Sequence, residues 1–269
     1  MFTDQIVWIT GASSGIGEAL AHAFAREGSR LVLSARREAE LQRVASELNL
    51  PAGRVLILPM DVTDTAAAAA HVQQVLDTFG AIDILVLNAG ISQRSLARDT
   101  SLEVDRYLME VNFFGVIALT KAALPAMLAR KKGLLVPISS IAGHVATPMR
   151  TGYTASKFAI RGYFDALRAE IWRDGLWVTT ICPGYIRTAI SVNALNQHGQ
   201  PNNRMDDNQA NGLSAEACAG RILHAIRKRK REVYIGGLKE TAGAYLKRYA
   251  PGLLWRMIRN YRISASDLP

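Results

Sequence analysis

Cysteine is nearly absent: the 269-residue chain has two, Cys182 and Cys218. No C-x-x-C pair occurs, which removes the common zinc-ribbon and redox-dithiol patterns. Cys182 sits in the apolar run VTTICPG and reads as a buried structural thiol, a usage that fits a reducing compartment. His144 and His198 lack partners at ligand spacing, so no metal is assigned. No uninterrupted apolar run reaches the roughly 18 residues that span a bilayer. The start, MFTDQIVWITGAS, shows no basic leader, long apolar region or cleavage site, and a soluble, cytoplasmic protein is expected. A basic excess is also missing from most of the chain. Residues 1–220 hold 20 Lys+Arg against 20 Asp+Glu, whereas 221–269 hold 12 against 3. The net charge of +9 therefore lies in the last fifth, which argues against a nucleic-acid-binding body. The cluster RKRKRE, from Arg227, reads as cations closing a helix C-terminus.

What is present is an alternation. Short β-rich runs (QIVWIT, RLVLSA, RVLILP, IDILVLNAG, LLVPISS, WVTTICPG, REVYIG) are separated by helical stretches at 15–27, 37–48, 64–79, about 102–130, 153–173 and 214–229. Thr63 or Asp64 is the expected N-cap of the third helix. Strands that alternate with helices predict right-handed βαβ units. The fold class is α/β, a doubly wound parallel seven-stranded sheet with helices on both faces. Several strands are unbroken apolar runs, as when both faces are covered. Two segments break the rhythm. Residues 189–213 are polar, with six asparagines, and read as a lid. Residues 238–269 form a basic, aromatic C-terminal extension to a dinucleotide-binding domain over 1–237.

The dinucleotide reading rests on ITGASSGIGEAL, which follows the first strand and opens a helix. Gly11, Gly15 and Gly17 let the backbone turn tightly and approach a pyrophosphate, while the helix N-terminus offers amide donors. This predicts a Rossmann-type sheet. In GYTASKFAI, Tyr153 stands four residues before Lys157, so phenol and ammonium share a helix face.

Taken in order, TGASSGIG (10–17), DV (61–62), NAG (88–90), Asn112, SS (139–140), YTASK (153–157) and PGYIRT (183–188) make the chain resemble the short-chain dehydrogenase/reductases, over roughly 1–237. The stretch from Ser139 is similar to the hydroxysteroid-dehydrogenase-like branch. The resemblance implies an oxidoreductase that interconverts an alcohol and a carbonyl. Tyr153 would be the general acid/base and Lys157 the cation that lowers its pKa. Ser140, thirteen residues before Tyr153, would polarise the substrate oxygen, with Ser139 as the competitor. Asn112 would tie a relay water to Lys157. Ser13, Ser14 and Ile16 would join the three glycines at the cofactor. Asp61 and Val62 would contact adenine, and Asn88, Ala89 and Gly90 would line the cleft. Pro183 and Gly184 would shape the turn that brings Ile186 and Thr188 to the nicotinamide end.

Cofactor choice is read at the end of the second strand. An NAD(H) enzyme usually has an acidic residue there; this chain has Ala35, then Arg36 and Arg37. A guanidinium suits a 2′-phosphate, so NADP(H) is expected over NAD(H), with Arg36 as its reader. Ser14 stands where many NADP-dependent members are basic. The expected partner is an apolar small molecule, not nucleic acid. The resemblance also implies a homodimer or homotetramer. A different class, a cofactor-binding regulatory or scaffold protein, is the alternative. For AYLKRYAPGLLWRMIRNY three roles stay open: a flap over the pocket, an oligomer contact, or peripheral membrane contact through 238–262.

Overall fold

The computed structural model describes residues 2–259, so residues 260–269 of the extension, including 260–262 of the expected membrane contact, lie outside the described residues. The first half runs β1 (Ile6–Thr10), α1 (Gly15–Arg26), β2 (Arg30–Ser34), α2 (Glu38–Glu47), β3 (Val55–Ile57), α3 (Ala68–Phe79), β4 (Ile84–Leu87), α4 (Leu102–Met109), α5 (Gly115–Ala129) and β5 (Gly133–Pro137). It continues with α6 (Thr151–Ile171), β6 (Leu176–Val178), β7 (Thr180–Pro183), β8 (Ile186–Arg187), α7 (Asp207–Ala210), β9 (Leu213–Ser214), α8 (Ala215–Arg227) and β10 (Glu232–Ile235). The described residues close with α9 (Leu238–Tyr249) and α10 (Pro251–Arg259).

The main sheet has six parallel strands in the order β3-β2-β1-β4-β5-β6. The predicted seventh strand is β10, which pairs in parallel with β7, the continuation of β6 beyond Thr179. Alternate residues of β1 face opposite ways. Val7 and Ile9 pack with Phe24 of α1 and Ile222 of α8, while Ile6 and Trp8 pack with Val75 of α3 and Phe164 of α6. Both faces are thus covered, which explains the unbroken apolar strands. Strand order reverses between β1 and β4, which opens a crevice at their carboxyl ends.

Of the two expected caps, Asp64 serves the 3-10 turn Thr65–Ala67 that leads into α3, its carboxylate accepting from Ala67 N at 3.2 Å. The predicted long helix over 102–130 is split. Residues Glu110–Phe114 form a π-turn between α4 and α5, centred on fully buried Asn112. Leu102–Ala129 is long and apolar enough to cross a membrane by length and composition, but Leu119, Ala123 and Met127 of α5 are buried against the sheet. Pro251 divides the extension into α9 and α10, as a residue without an N–H should.

His144, Cys182 and Glu232 come together from three elements that sequence spacing could not connect. His144 Nε2 lies 2.6 Å from Glu232 Oε1, and Arg161 Nε reaches the same oxygen at 3.2 Å. Burial raises the Glu232 carboxyl, but its hydrogen bond to His144 and the Arg161 charge outweigh this and hold it at about 2.

Candidate active site

The glycine loop turns where only glycine does so cheaply: Gly11 and Gly15 have φ of 66° and 59°. Gly17 is required for space, since a Cβ there would lie 2.7 Å from Asn88 Nδ2. Asn88 staples β4 to the loop. Its Nδ2 donates to the Thr10 and Gly11 carbonyls at 3.0 and 3.2 Å, and Thr10 Oγ1 accepts from Asn88 N and Ala89 N, both at 3.0 Å.

Above this loop lies a cleft of about 570 Å³. Gly11, Ser13, Ser14, Gly15 and Ile16 form one wall, and Asp61, Val62, Ala89 and Gly90 another. Arg36 and Arg37 stand exposed at its mouth. Arg36 Nη1 donates to Tyr107 Oη at 3.4 Å, and Arg37 Nη2 to Ser13 Oγ at 3.5 Å. A tight glycine cradle, the N-terminus of twelve-residue α1 and two guanidinia match a pyrophosphate-bearing dinucleotide in shape and charge. Arg37 reaches the loop itself, through Ser13.

A second cleft, of about 540 Å³, joins the first along Ile16, Asn88, Gly90 and Thr188. Ser140, Tyr153, Lys157, Pro183, Gly184 and Ile186 line it. The first turn of α6 carries Tyr153, and its position depends on Gln93, which is fully buried. Gln93 Oε1 accepts from Gly152 N at 2.9 Å and Tyr153 N at 3.4 Å, satisfying two amides that the helix cannot pair. Ser139 and Ser140 divide their tasks. Ser139 donates to the Lys157 carbonyl at 3.0 Å, whereas Ser140 accepts from Ala142 N at 3.0 Å and meets the Tyr153 phenol. Lys157 Nζ donates to the Ile138 carbonyl at 3.1 Å.

Burial raises the Tyr153 phenol above its ordinary value; the Ser140 hydrogen bond and the charges of Arg150 and Arg94 draw it part of the way back. Burial also pushes Lys157 down to about 8. The sequence reading expected Lys157 to lower the phenol. In the folded chain the cations that draw the phenol down are Arg150 and Arg94. Asn112 lies outside both clefts. Its Oδ1 accepts from Ile91 N at 2.8 Å, and its Nδ2 donates to Ile91 O and Ser156 Oγ, each at 2.9 Å. A Cβ at Gly90 would lie 3.0 Å from Asn112 Oδ1 and 3.4 Å from Lys157 Nζ, so the two flank that glycine.

The segment 189–213 borders both clefts, through Ile190 and Gln209 on one side and Asn193 and Pro201 on the other. It is anchored by Arg94 N and Leu195 N, which donate to Leu195 O and Ser92 O at 2.8 Å each. The extension supplies the remaining wall: Leu246 of α9 with Leu254 and Met257 of α10. Glu240 fastens it, accepting from Tyr185 N at 3.0 Å and from Gly237 N. Gln93, Arg94, Arg150 and Glu240 were not singled out from sequence. Their partners lie far away along the chain, and no local motif marks them.

Residues 5–199 match the family model described as short chain dehydrogenase. A relative from Anopheles gambiae, named dehydrogenase/reductase SDR family protein 7-like, is 46% identical over 259 residues, covering 94% of this chain and 82% of its own. The human dehydrogenase/reductase SDR family member 7 is 43% identical over 260 residues, covering 94% and 76%. Among solved structures, a short chain dehydrogenase/reductase from Burkholderia phymatum in complex with NAD superposes with a TM-score of 0.84 at 25% identity, covering 94% of this chain and 95% of that one.

Proposed function

The chain belongs to the short-chain dehydrogenase/reductase family and is an oxidoreductase acting on CH–OH donors with a nicotinamide cofactor, and we propose that it interconverts an alcohol and a carbonyl on a largely apolar substrate with NADP(H). The observation that carries this reading is the junction of the two clefts: Ser140, Tyr153 and Lys157 stand together in the apolar one, where it meets the glycine-loop one. A bound nicotinamide dinucleotide supplies or accepts the hydride at the substrate carbon. Tyr153 gives its phenolic proton to the carbonyl oxygen in reduction and recovers it in oxidation. Its raised pKa keeps it protonated at neutral pH, ready to act as the acid. Ser140 donates a hydrogen bond to the same oxygen. Lys157 holds the cofactor ribose and feeds protons to the phenol, and Asn112 supports that relay from across Gly90. Arg36 and Arg37 bind the 2′-phosphate of NADP(H) at the end of β2.

The outer faces of α9 and α10 support peripheral attachment to an anionic membrane. Tyr245, Tyr249, Leu253 and Trp255 are exposed beside Lys247, Arg248 and Arg256. Because the inner faces of these helices line the cleft, the suitable test is charge reversal of Lys247 and Arg256 in the full chain, read by vesicle co-sedimentation. Unchanged pelleting would rule the attachment out.

Thermal-shift titrations with NADPH and NADH side by side test the cofactor assignment, since a ligand of the folded state raises the midpoint with its concentration over Kd. The larger shift is expected with NADPH. A larger shift with NADH would contradict the roles of Arg36 and Arg37, and none with either cofactor, reduced or oxidised, would contradict the cleft itself.

A further inference from the structure

One wall of the apolar cleft carries charge that the reaction as derived does not use. Arg94 and Arg150 both line it, and their side chains are only 7% and 16% exposed. Both pair with the same carboxylate, Asp206, which lies behind them and does not line the cleft. One carboxylate cannot neutralise two guanidinia, so the wall keeps an uncompensated positive charge in an apolar surround, which is costly unless a second anion meets it.

The two arginines differ in what they have left to give. Arg94 is committed: Nε donates to Asp206, Nη1 to Ser92 Oγ at 2.8 Å and the Gln93 carbonyl at 2.6 Å, and Nη2 to Asp206. Arg150 donates from Nη2 alone, at 2.9 Å to Asp206 Oδ2, while its guanidinium lies over the Tyr185 ring at 5.5 Å. Among the described residues nothing accepts from its Nε or Nη1. A planar fork fixed by stacking and one ion pair, with donors still open to a cleft, is the arrangement that binds a two-oxygen anion edge. The other carboxylate of that wall, Glu240, accepts from the amides of Tyr185 and Gly237 and, among the described residues, forms no ion pair with either arginine. Further along, Ile141, Val145, Leu246 and Leu254 offer only apolar surface.

We infer that the substrate is an amphipath, an apolar alcohol or carbonyl compound whose anionic group, a carboxylate or a phosphate, binds the free donors of Arg150. This rests on the oxidoreductase reading and adds the substrate's charge. Arg94 and Asp206 are positioning residues that hold the Arg150 fork at the cleft wall. The arginine stands three residues before Tyr153, at the N-cap of α6, so the anion and the reacting oxygen are read at one end of the same helix.

The test compares decanoate, decyl phosphate and methyl decanoate, each below its micellar concentration, by thermal shift on the full chain saturated with NADPH. At least one of the two acids is expected to bind about tenfold tighter than the neutral ester, as for hydrogen bonds to a charged group. Whether decanoate or decyl phosphate gains more identifies the anion. In Arg150→Met the acid should fall to the level of the ester, and Arg150→Lys, which keeps the charge without the fork, should lie between. If Arg150→Met does not fold, the ester comparison in wild type and Arg150→Lys carries the test. Equal binding of acids and ester in wild type would overturn the inference. So would an acid preference that survives Arg150→Met, because it would then come from the basic extension. The NADPH shift is read separately: no acid selectivity in wild type, with that shift intact, overturns this inference and leaves the parent reading standing.

Discussion

Lys157 holds its ammonium 5.7 Å from the centre of the Tyr153 ring and 3.1 Å from the Ile138 carbonyl oxygen. The four-residue spacing brings the groups onto one helix face, as geometry requires. Yet the ammonium lies against the ring and hydrogen-bonds to the β5 end, so burial dominates both groups.

That burial has a pH signature. The Lys157 pKa falls from 10.5 to about 8 on folding. Below pH 8 both states carry the charge, and the folded state bears the full cost of burying it. Between 8 and 10.5 the folded state releases its proton while the unfolded chain keeps it, so stability gains as pH rises through that window. Lys157→Met should therefore be more stable than wild type at pH 7, by up to about 3 kcal/mol. The advantage should shrink as pH rises from 8 towards 10.5. Urea unfolding across that range checks it; a pH-independent difference would contradict the burial assignment.

At the mouth of the glycine-loop cleft, Arg36→Ala and Arg37→Ala should each weaken NADPH about tenfold by removing a charge-assisted contact. NADH, which lacks the 2′-phosphate, should be nearly unaffected. Fluorescence titration of both reduced cofactors measures the split. Equal losses for the two would mean the arginines serve the loop and not the phosphate.

Gln93→Leu leaves the Gly152 and Tyr153 amides without their acceptor in a buried site. A loss of about 1–3 kcal/mol is expected from unfolding curves. Turnover should fall through kcat more than KM, because the first turn of α6 carries Tyr153, the proposed acid. Unchanged kcat in a destabilised variant would make Gln93 a purely structural cap.

The seven strands and the glycine loop were legible because their signals are local. Apolar runs such as IVWIT and ILVL reflect a sheet covered on both faces, and glycines at positive φ must appear in the sequence itself. The π-turn at Glu110–Phe114 was not legible. It is set by Asn112 bonding to Ile91 and Ser156, partners brought in by folding. The break at Thr179 arises because β7 turns to pair with β10 while β6 stays with β5. The extension's place as a cleft wall depends on Glu240 meeting the amide of Tyr185, 55 residues earlier. Nothing in the composition of LKETAGAYLKRY distinguishes that wall from a free helix. The phenol's cationic neighbours were missed for the same reason, since Arg94 lies in an unremarked loop.

Glu240→Ala should unfasten α9 and α10. Faster proteolysis around 237–240 and a raised KM for an apolar substrate are expected, with cofactor binding retained. A digestion rate equal to wild type would mean the apolar contacts of Leu246 and Leu254 suffice to hold the wall.

The most direct measurement is turnover by Tyr153→Phe on a carbonyl substrate that wild type reduces with NADPH, alongside NADPH affinity for both proteins. Removing the phenolic proton donor should lower kcat by about 10²–10⁴-fold or more. NADPH affinity should stay within about threefold, because the ring that packs in the wall is retained. Sustained turnover in the variant with cofactor binding intact would contradict Tyr153 as the general acid.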